Sequence, residues 1–240
     1  LVEDCAQAHG AKYKNNSVGS LGDVAAWSFC QDKIMTTGGE GGMLTTNNEQ
    51  IFKNAWSVKD HGKTIESMYE KSHPPGFRWV HDKIGSNYRM TEMQAAIGRY
   101  QLTKIQEWNL KRNYNANKIL SSCNKFSKFM IAPKCPNHSE HAWYKCNVYV
   151  KQEMLNNDWS RDRIISEINA LGVPCRSGSC SEIYKEKAFQ DLGIFPKNDL
   201  INAQVHSKTS IVFLVHPSLS KDDLNKTCNA IENVMMNISE

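Results

Sequence analysis

The sequence predicts an α/β chain: the C-terminal part of a large, mostly parallel-sheet domain, followed by a small α+β domain. Three observations carry this reading. Short apolar or β-branched runs at residues 1–4, 24–29 and 43–46 are bounded by Gly, Asn and Asp, as suits buried strands of a mostly parallel sheet. Further on, Ala142, Tyr144, Cys146, Val148 and Val150 alternate with Trp143, Lys145, Asn147 and Tyr149, the period of a strand with one buried face. Around that strand, Ser160 and Ser220 stand before amphipathic helical patterns.

In chain order, residues 49–58 read as a short helix, and residues 63–84, with Pro74-Pro75-Gly76, as a long aromatic-bearing loop. Thr91-x-x-Gln94 is a capping box opening a helix on which Met93, Ala96, Ile97 and Tyr100 share a face, and Ile105 and Trp108 continue it. The polar stretch 112–128 is the expected crossing between domains, which sets them at 1–115 and 116–240. The Ser160 helix carries Ile164, Ile165, Ile168 and Leu171 inward and stops at Gly172. Residues 209–215 read as another strand, and the helix after Ser220-x-x-Asp223 aligns Leu224, Cys228, Ile231 and Met235.

Composition narrows the function classes. The eight cysteines form no CxxC pair and no Cys/His grouping at zinc spacing, so reduced thiols in a cytoplasmic protein, with no structural metal, are expected. With 29 basic and 25 acidic residues interspersed, the net charge of +4 forms no basic stripe, which argues against a nucleic-acid partner. No apolar run approaches the roughly 18–20 residues that cross a bilayer, and no signal peptide is seen, so no membrane partner is expected. The opening Leu1-Val2-Glu3-Asp4 reads as a strand already running into its polar end, and an N-terminal truncation is the expectation.

The chemistry concentrates between Ser28 and Gly42. A strand ends at Ser28-Phe29, Lys33 follows at once, and Gly38-Gly39-Glu40-Gly41-Gly42 then lets the backbone pass close to a neighbour. A dinucleotide fingerprint needs G-x-G-x-x-G between strand and helix, and a phosphate loop needs Lys directly after its glycines; neither spacing is met. Taken alone, the segment reads as a surface lysine and a tight hairpin. Asp4 adds a carboxylate at the end of the first strand, where ligands of parallel sheets collect, although a lone Asp there also reads as a helix cap.

In combination these residues resemble a known family. Glu3-Asp4-Cys-Ala-Gln7-Ala-His9-Gly, Gly19-Ser-Leu-Gly22-Asp23, Ser28-Phe29 with Lys33, Gly39-Glu40-Gly41-Gly42, and Asn87-Tyr-Arg-Met-Thr-Glu92 with Gln94-Ala-Ala-Ile-Gly98 are similar to the signature run of the DegT/DnrJ/StrS sugar aminotransferases. Leu214-Val-His216-Pro217 and the last helix extend the resemblance to nearly the whole chain. It implies a dimeric fold-type I enzyme dependent on pyridoxal 5'-phosphate, with a large cofactor domain and a small C-terminal one. By the same resemblance, Lys33 carries the cofactor covalently, Asp4 pairs with its pyridinium nitrogen and Gln7 sits beside the ring. Ser28 binds the phosphate, and Asn87 reaches the phosphate of the neighbouring subunit's cofactor.

The residue chemistry fits those roles. A carboxylate beside a pyridine nitrogen keeps it protonated, so that the ring withdraws electrons when a substrate Cα–H bond breaks. A lysine can form a Schiff base and then move protons, which an arginine cannot. The family's sugar dehydrases carry histidine at the lysine position, so Lys33 points to amino transfer from an amino-acid donor, glutamate by expectation, to a nucleotide-linked keto sugar. A pyridoxal-phosphate sugar enzyme of another reaction type and a non-catalytic remnant of the fold stay open as alternatives. His9, His61 and Arg89 stand as substrate-side candidates outside the catalytic set, and Trp79, Tyr88 and Trp143 as candidate stacking residues.

Overall fold

The computed structural model describes residues 1–178 and 180–239. The elements run β1 (Val2–Asp4), β2 (Lys12–Tyr13), β3 (Asn16–Ser17), β4 (Val24–Ser28), β5 (Gly42–Thr45), α1 (Glu49–Lys59), α2 (Glu92–Leu102), α3 (Ile105–Asn124), β6 (Met130–Ile131) and β7 (Ser139–Glu140). They continue with β8 (Cys146–Val150), α4 (Arg161–Ala170), β9 (Cys175–Arg176), α5 (Lys187–Asp191), α6 (Ile201–Thr209), β10 (Ser210–Phe213) and α7 (Lys221–Ser239). Two compact units result, one of residues 1–109 with 136–142, the other of 110–135 with 143–240. Among the described residues no helix is long and apolar enough to cross a membrane.

The first unit holds a three-stranded sheet in the order β1-β4-β5. β1 and β4 pair in parallel, with Asp4 opposite Ala26, while β5 returns antiparallel, with Met43 opposite Trp27. The strands are only partly covered: Ala25 and Cys5 are buried, but Val2, Met43 and Leu44 are exposed. Asn48 caps α1 by accepting from the Ile51 amide at 3.0 Å. The long loop after α1 is more ordered than its composition suggests. It contains a π-helical turn over Glu66–Glu70, and the hydroxyls of Thr64 and Ser67 both donate to Asp82.

Thr91 and Gln94 form the capping box at the start of α2, each side chain bonded to the other's backbone amide. The helix does not run on into Ile105 as the sequence suggested; Thr103 caps it and α3 begins separately. Its apolar face is also the outer one. Met93 and Tyr100 are exposed, whereas Gln94, Gly98 and Gln101, spaced at i, i+4 and i+7, form the inner face.

The second unit is a four-stranded antiparallel sheet, order β6-β8-β10-β9, with α3, α4 and α7 contributing to one core. On β8, Cys146, Val148 and Val150 are buried while Asn147 is exposed, so the alternation holds over those residues. It fails before Cys146 because Trp143 sits in the left-handed region at φ 50°. Arg112 holds that bend, its Nη1 donating to the carbonyls of Trp143 at 3.1 Å and Tyr144 at 3.2 Å. Ile164 and Ile168 of α4 and Ile231 and Met235 of α7 fill the core, each worth about 1.5–3 kcal/mol by burial. Leu171, expected inside, is half exposed beyond the end of α4.

None of the eight cysteines is in a disulfide. Burial pushes the Cys146 thiol up to about 12 and that of Cys175 to about 11, so both behave as small apolar side chains rather than nucleophiles.

Candidate active site

Strand register places the first two candidates together. Paired residues in a sheet point to the same face, and so do residues two apart on one strand. Asp4 is opposite Ala26 and Ser28 lies two residues on, so Asp4 and Ser28 share a face at the carboxyl edge of the β1/β4 pair. Their offset along the strands is about 7 Å. Ala26, paired with Asp4 on that face, is exposed. One Asp4 oxygen accepts the Ala6 amide at 3.0 Å. Gln7 is exposed in the turn that follows, and Ser28 Oγ accepts the Cys30 amide at 3.4 Å.

The opposite face holds this edge in place. Glu3 accepts the backbone amides of Gly19, Leu21 and Gly22, each at 2.7 Å. The Gly19 hydrogen bond leads the effects that hold the Glu3 carboxyl below the usual range, with the Gly22 and Leu21 bonds adding to it against some desolvation. Gly19 is required there: its φ is 86°, and a Cβ would lie 2.2 Å from the Trp27 ring. His9 is buried, its ring centroid 5.4 Å from that of Trp27 and 5.8 Å from that of Phe29, and its carbonyl accepts from Asn109 at 2.9 Å. That placement makes His9 a packing residue.

Lys33 lies in the turn leaving β4, where its amide donates to the Cys30 carbonyl at 3.0 Å. The next two side chains, Ile34 and Met35, are buried and root the loop. Thr36 Oγ1 and the Thr37 amide both donate to the Phe29 carbonyl, at 3.0 and 3.2 Å. The inner face of α2 then grips the loop at two points. Gln101 Oε1 accepts the Thr36 amide at 2.9 Å, and Gln94 Nε2 donates to the Glu40 carbonyl at 2.7 Å. Gly98 lies between them, where a Cβ would stand 3.0 Å from the Thr37 methyl. The Gln94-Ala-Ala-Ile-Gly98 motif is thus the cradle of the lysine loop.

Asn87 is placed by other contacts. The segments Asp60-His61-Gly62 and Gly85-Ser86-Asn87 cross so closely that a Cβ on Gly62 would sit 1.7 Å from the Lys83 carbonyl oxygen. Backbone bonds from His61 to Ser86 at 3.0 Å and from Ser86 to Val58 at 2.8 Å lock the crossing. His61 pays for it with a φ of 60°. Arg89 donates from Nε to Asn87 Oδ1 at 3.0 Å and stands 3.5 Å from Asp60 through Nη1. Burial, the largest single influence on Asp60, pushes its carboxyl up, but Lys63, Arg89 and Lys59 together hold it below the usual range.

Among the candidate stacking residues, Trp79 and Tyr88 are 85% and 72% exposed, while Trp143 is 5% exposed and belongs to the second unit's core. Sequence reasoning missed Glu3, Gln94, Gln101 and Asp60 as supports. Glu3 and Gln94 lay inside quoted motifs, so part of the signal was present, but only the fold shows what each one bonds.

The chain matches the profile of the DegT/DnrJ/EryC1/StrS aminotransferase family over residues 1–232. It belongs to that family. Its architecture resembles the X-ray structure of the aminotransferase from Psychrobacter cryohalolentis, with a TM-score of 0.96 and 53% identity, covering 100% of this chain and 62% of that one. The GDP-perosamine synthase of Caulobacter vibrioides is 27% identical over 98% of this chain and 59% of its own length. The dTDP-3-amino-3,6-dideoxy-alpha-D-galactopyranose transaminase of Aneurinibacillus thermoaerophilus is 25% identical over 96% of this chain and 57% of its own. This chain therefore spans less than two thirds of the length of these relatives. The fold is that of a fold-type I, pyridoxal-phosphate-dependent aminotransferase, in mixed α/β form.

Proposed function

We propose that the intact protein uses pyridoxal 5'-phosphate to move an amino group from an amino-acid donor, glutamate in our reading, to a keto group of a nucleotide-linked sugar. The observation that carries this reading is the shared open face of Asp4 and Ser28 at the carboxyl edge of β1/β4, with Lys33 leaving the same strand. The donor set fits the group: a carboxylate for a protonated ring nitrogen, a hydroxyl for a phosphate, and an amine for a carbonyl. The GDP- and dTDP-sugar enzymes among the relatives support the substrate class.

When bound, the cofactor supplies an electron sink for bond breaking at the substrate carbon. Asp4 accepts the ring N–H and keeps that proton in place. Ser28 Oγ donates to the phosphate, and Gln7 sits beside the ring. Lys33 Nζ would hold the cofactor's carbonyl and, as a neutral amine, would move the proton of the substrate carbon. Asn87 reaches the phosphate held by the neighbouring subunit of a homodimer, so each site draws on two chains. Residues 1–115 then belong to the cofactor domain and 116–240 to the small domain. The free thiols suit a cytoplasmic setting.

The test is Lys33→Ala in the intact protein. Amino transfer and the visible absorbance of the bound cofactor should both vanish while the circular dichroism spectrum stays unchanged. Near-normal turnover in that variant overturns the assignment.

A further inference from the structure

We propose that Arg89 is a positioning residue for Asn87: it pins the amide oxygen inward and so presents Nδ2 as a dedicated donor to the cofactor's phosphate. The inference rests on the reading of Asn87 given above.

A free asparagine side chain can turn either its oxygen or its nitrogen outward, and only the nitrogen can donate to a phosphate. Here the choice is made by its neighbour. The Arg89 amide at 3.4 Å and its Nε at 3.0 Å both face the Asn87 side chain, and both can only donate, so the atom between them must be Oδ1. Among the described residues none accepts from Nδ2, and Asn87 is exposed, so both its hydrogens face outward.

Arg89 is itself held. Its Nη1 is 3.5 Å from Asp60 Oδ1 and its Nη2 is 3.4 Å from His61 Nε2. Asp60 also pairs with Lys63 at 3.2 Å, and its side chain is only 13% exposed, which makes it a fixed anchor. The Asp60 carboxylate and His61 Nε2 hold the far end of the guanidinium while Nε is turned to Asn87. The Gly62 and Gly85 crossing described above brings the two segments close enough for this chain of contacts.

The experiment measures the dissociation constant of pyridoxal 5'-phosphate by equilibrium dialysis on the intact protein and on Asn87→Ala, Arg89→Met, Arg89→Lys and the Asn87→Ala/Arg89→Met pair. Thermal melting of each apo form reports folding separately. Asn87→Ala should weaken binding roughly 10- to 150-fold, the loss of a charge-assisted hydrogen bond. Arg89→Met should weaken it about 2- to 10-fold, the cost of ordering a side chain that is no longer pinned. The double variant should match Asn87→Ala to within about two-fold, because the arginine has nothing left to position. Arg89→Lys keeps the charge but not the Nε contact and should resemble Arg89→Met. If the single losses multiply in the double variant, or if Arg89→Lys binds as the parent does, Arg89 acts on the anion by its own charge and the positioning role is wrong while the Asn87 reading stands. If Asn87→Ala binds as tightly as the parent, the phosphate reading of Asn87 falls and the positioning role falls with it.

Discussion

The two units are of similar length and have very different interiors. Among the described residues, the first buries seven apolar side chains and the second twenty-four. The second unit closes on itself: a four-stranded sheet and three helices share one core around Phe213, Ile231 and Met235. The first leaves Val2, Met43, Leu44, Trp79 and Ile84 exposed and is held instead by polar and backbone contacts, such as the Glu3 bonds to the Gly19–Gly22 turn and the two glutamines of α2. Within these residues the site's geometry is set by local hydrogen bonds more than by apolar burial.

The largest expected effect breaks the comparison directly. Phe213→Ala in the second unit should cost about 3–5 kcal/mol in urea unfolding of the 240-residue chain. Met43→Ala in the first, where the side chain is 52% exposed, should change it by less than about 0.5 kcal/mol. Equal losses would mean that the first unit has a core as consequential as the second.

A smaller pair sharpens it. Ser220 caps α7, its Oγ accepting the Asp223 amide at 3.1 Å while Asp223 accepts the Ser220 amide at 3.0 Å. Thr91 caps α2 in the same way. Alanine at either position should cost about 0.5–2 kcal/mol. Because α7 belongs to the larger core, Ser220→Ala should appear in global unfolding, whereas Thr91→Ala should appear first as faster amide exchange at residues 92–95. Identical behaviour in both measurements removes the distinction.

The smallest effect is one of pH. Glu182 accepts from Lys185 at 2.8 Å, Ser207 at 2.7 Å and Tyr184 at 2.7 Å. The Lys185 bond is the leading cause that holds its carboxyl down to about 2, followed by Ser207 and Tyr184. A depressed carboxylate contributes stability that is complete above its unfolded pKa, about 4.3, and is lost as pH falls through the folded value. Amide exchange in residues 201–209 should therefore quicken between about pH 4 and 2, and Glu182→Gln should abolish that dependence. Unchanged pH dependence in the variant assigns the effect to other carboxylates.

Much of the second unit was legible because apolar period and caps are local signals. Ser160, Ser220 and the 146–150 alternation needed no partner to be read. Misreadings came where a distant contact overrode the local pattern. The bend at Trp143 depends on Arg112, thirty-one positions away, and cut the strand short. On α2 the sequence showed which residues share a face but not which way it points: two glutamines, bonded to partners sixty-five and fifty-four positions away, claim the inner side and leave the apolar stripe outside.

For the candidate site the division is similar. By itself the sequence determined the residue types and their order: a carboxylate, a hydroxyl and a lysine at strand ends, and glycines where backbones cross. Those follow from side-chain chemistry and from the sterics of a missing Cβ, which act within a few residues. The tertiary structure alone decided that Asp4 and Ser28 share one face, that α2 grips the lysine loop, and that Arg89 takes the oxygen of Asn87. Register and side-chain hydrogen bonding depend on where distant segments meet, and no local pattern encodes that meeting.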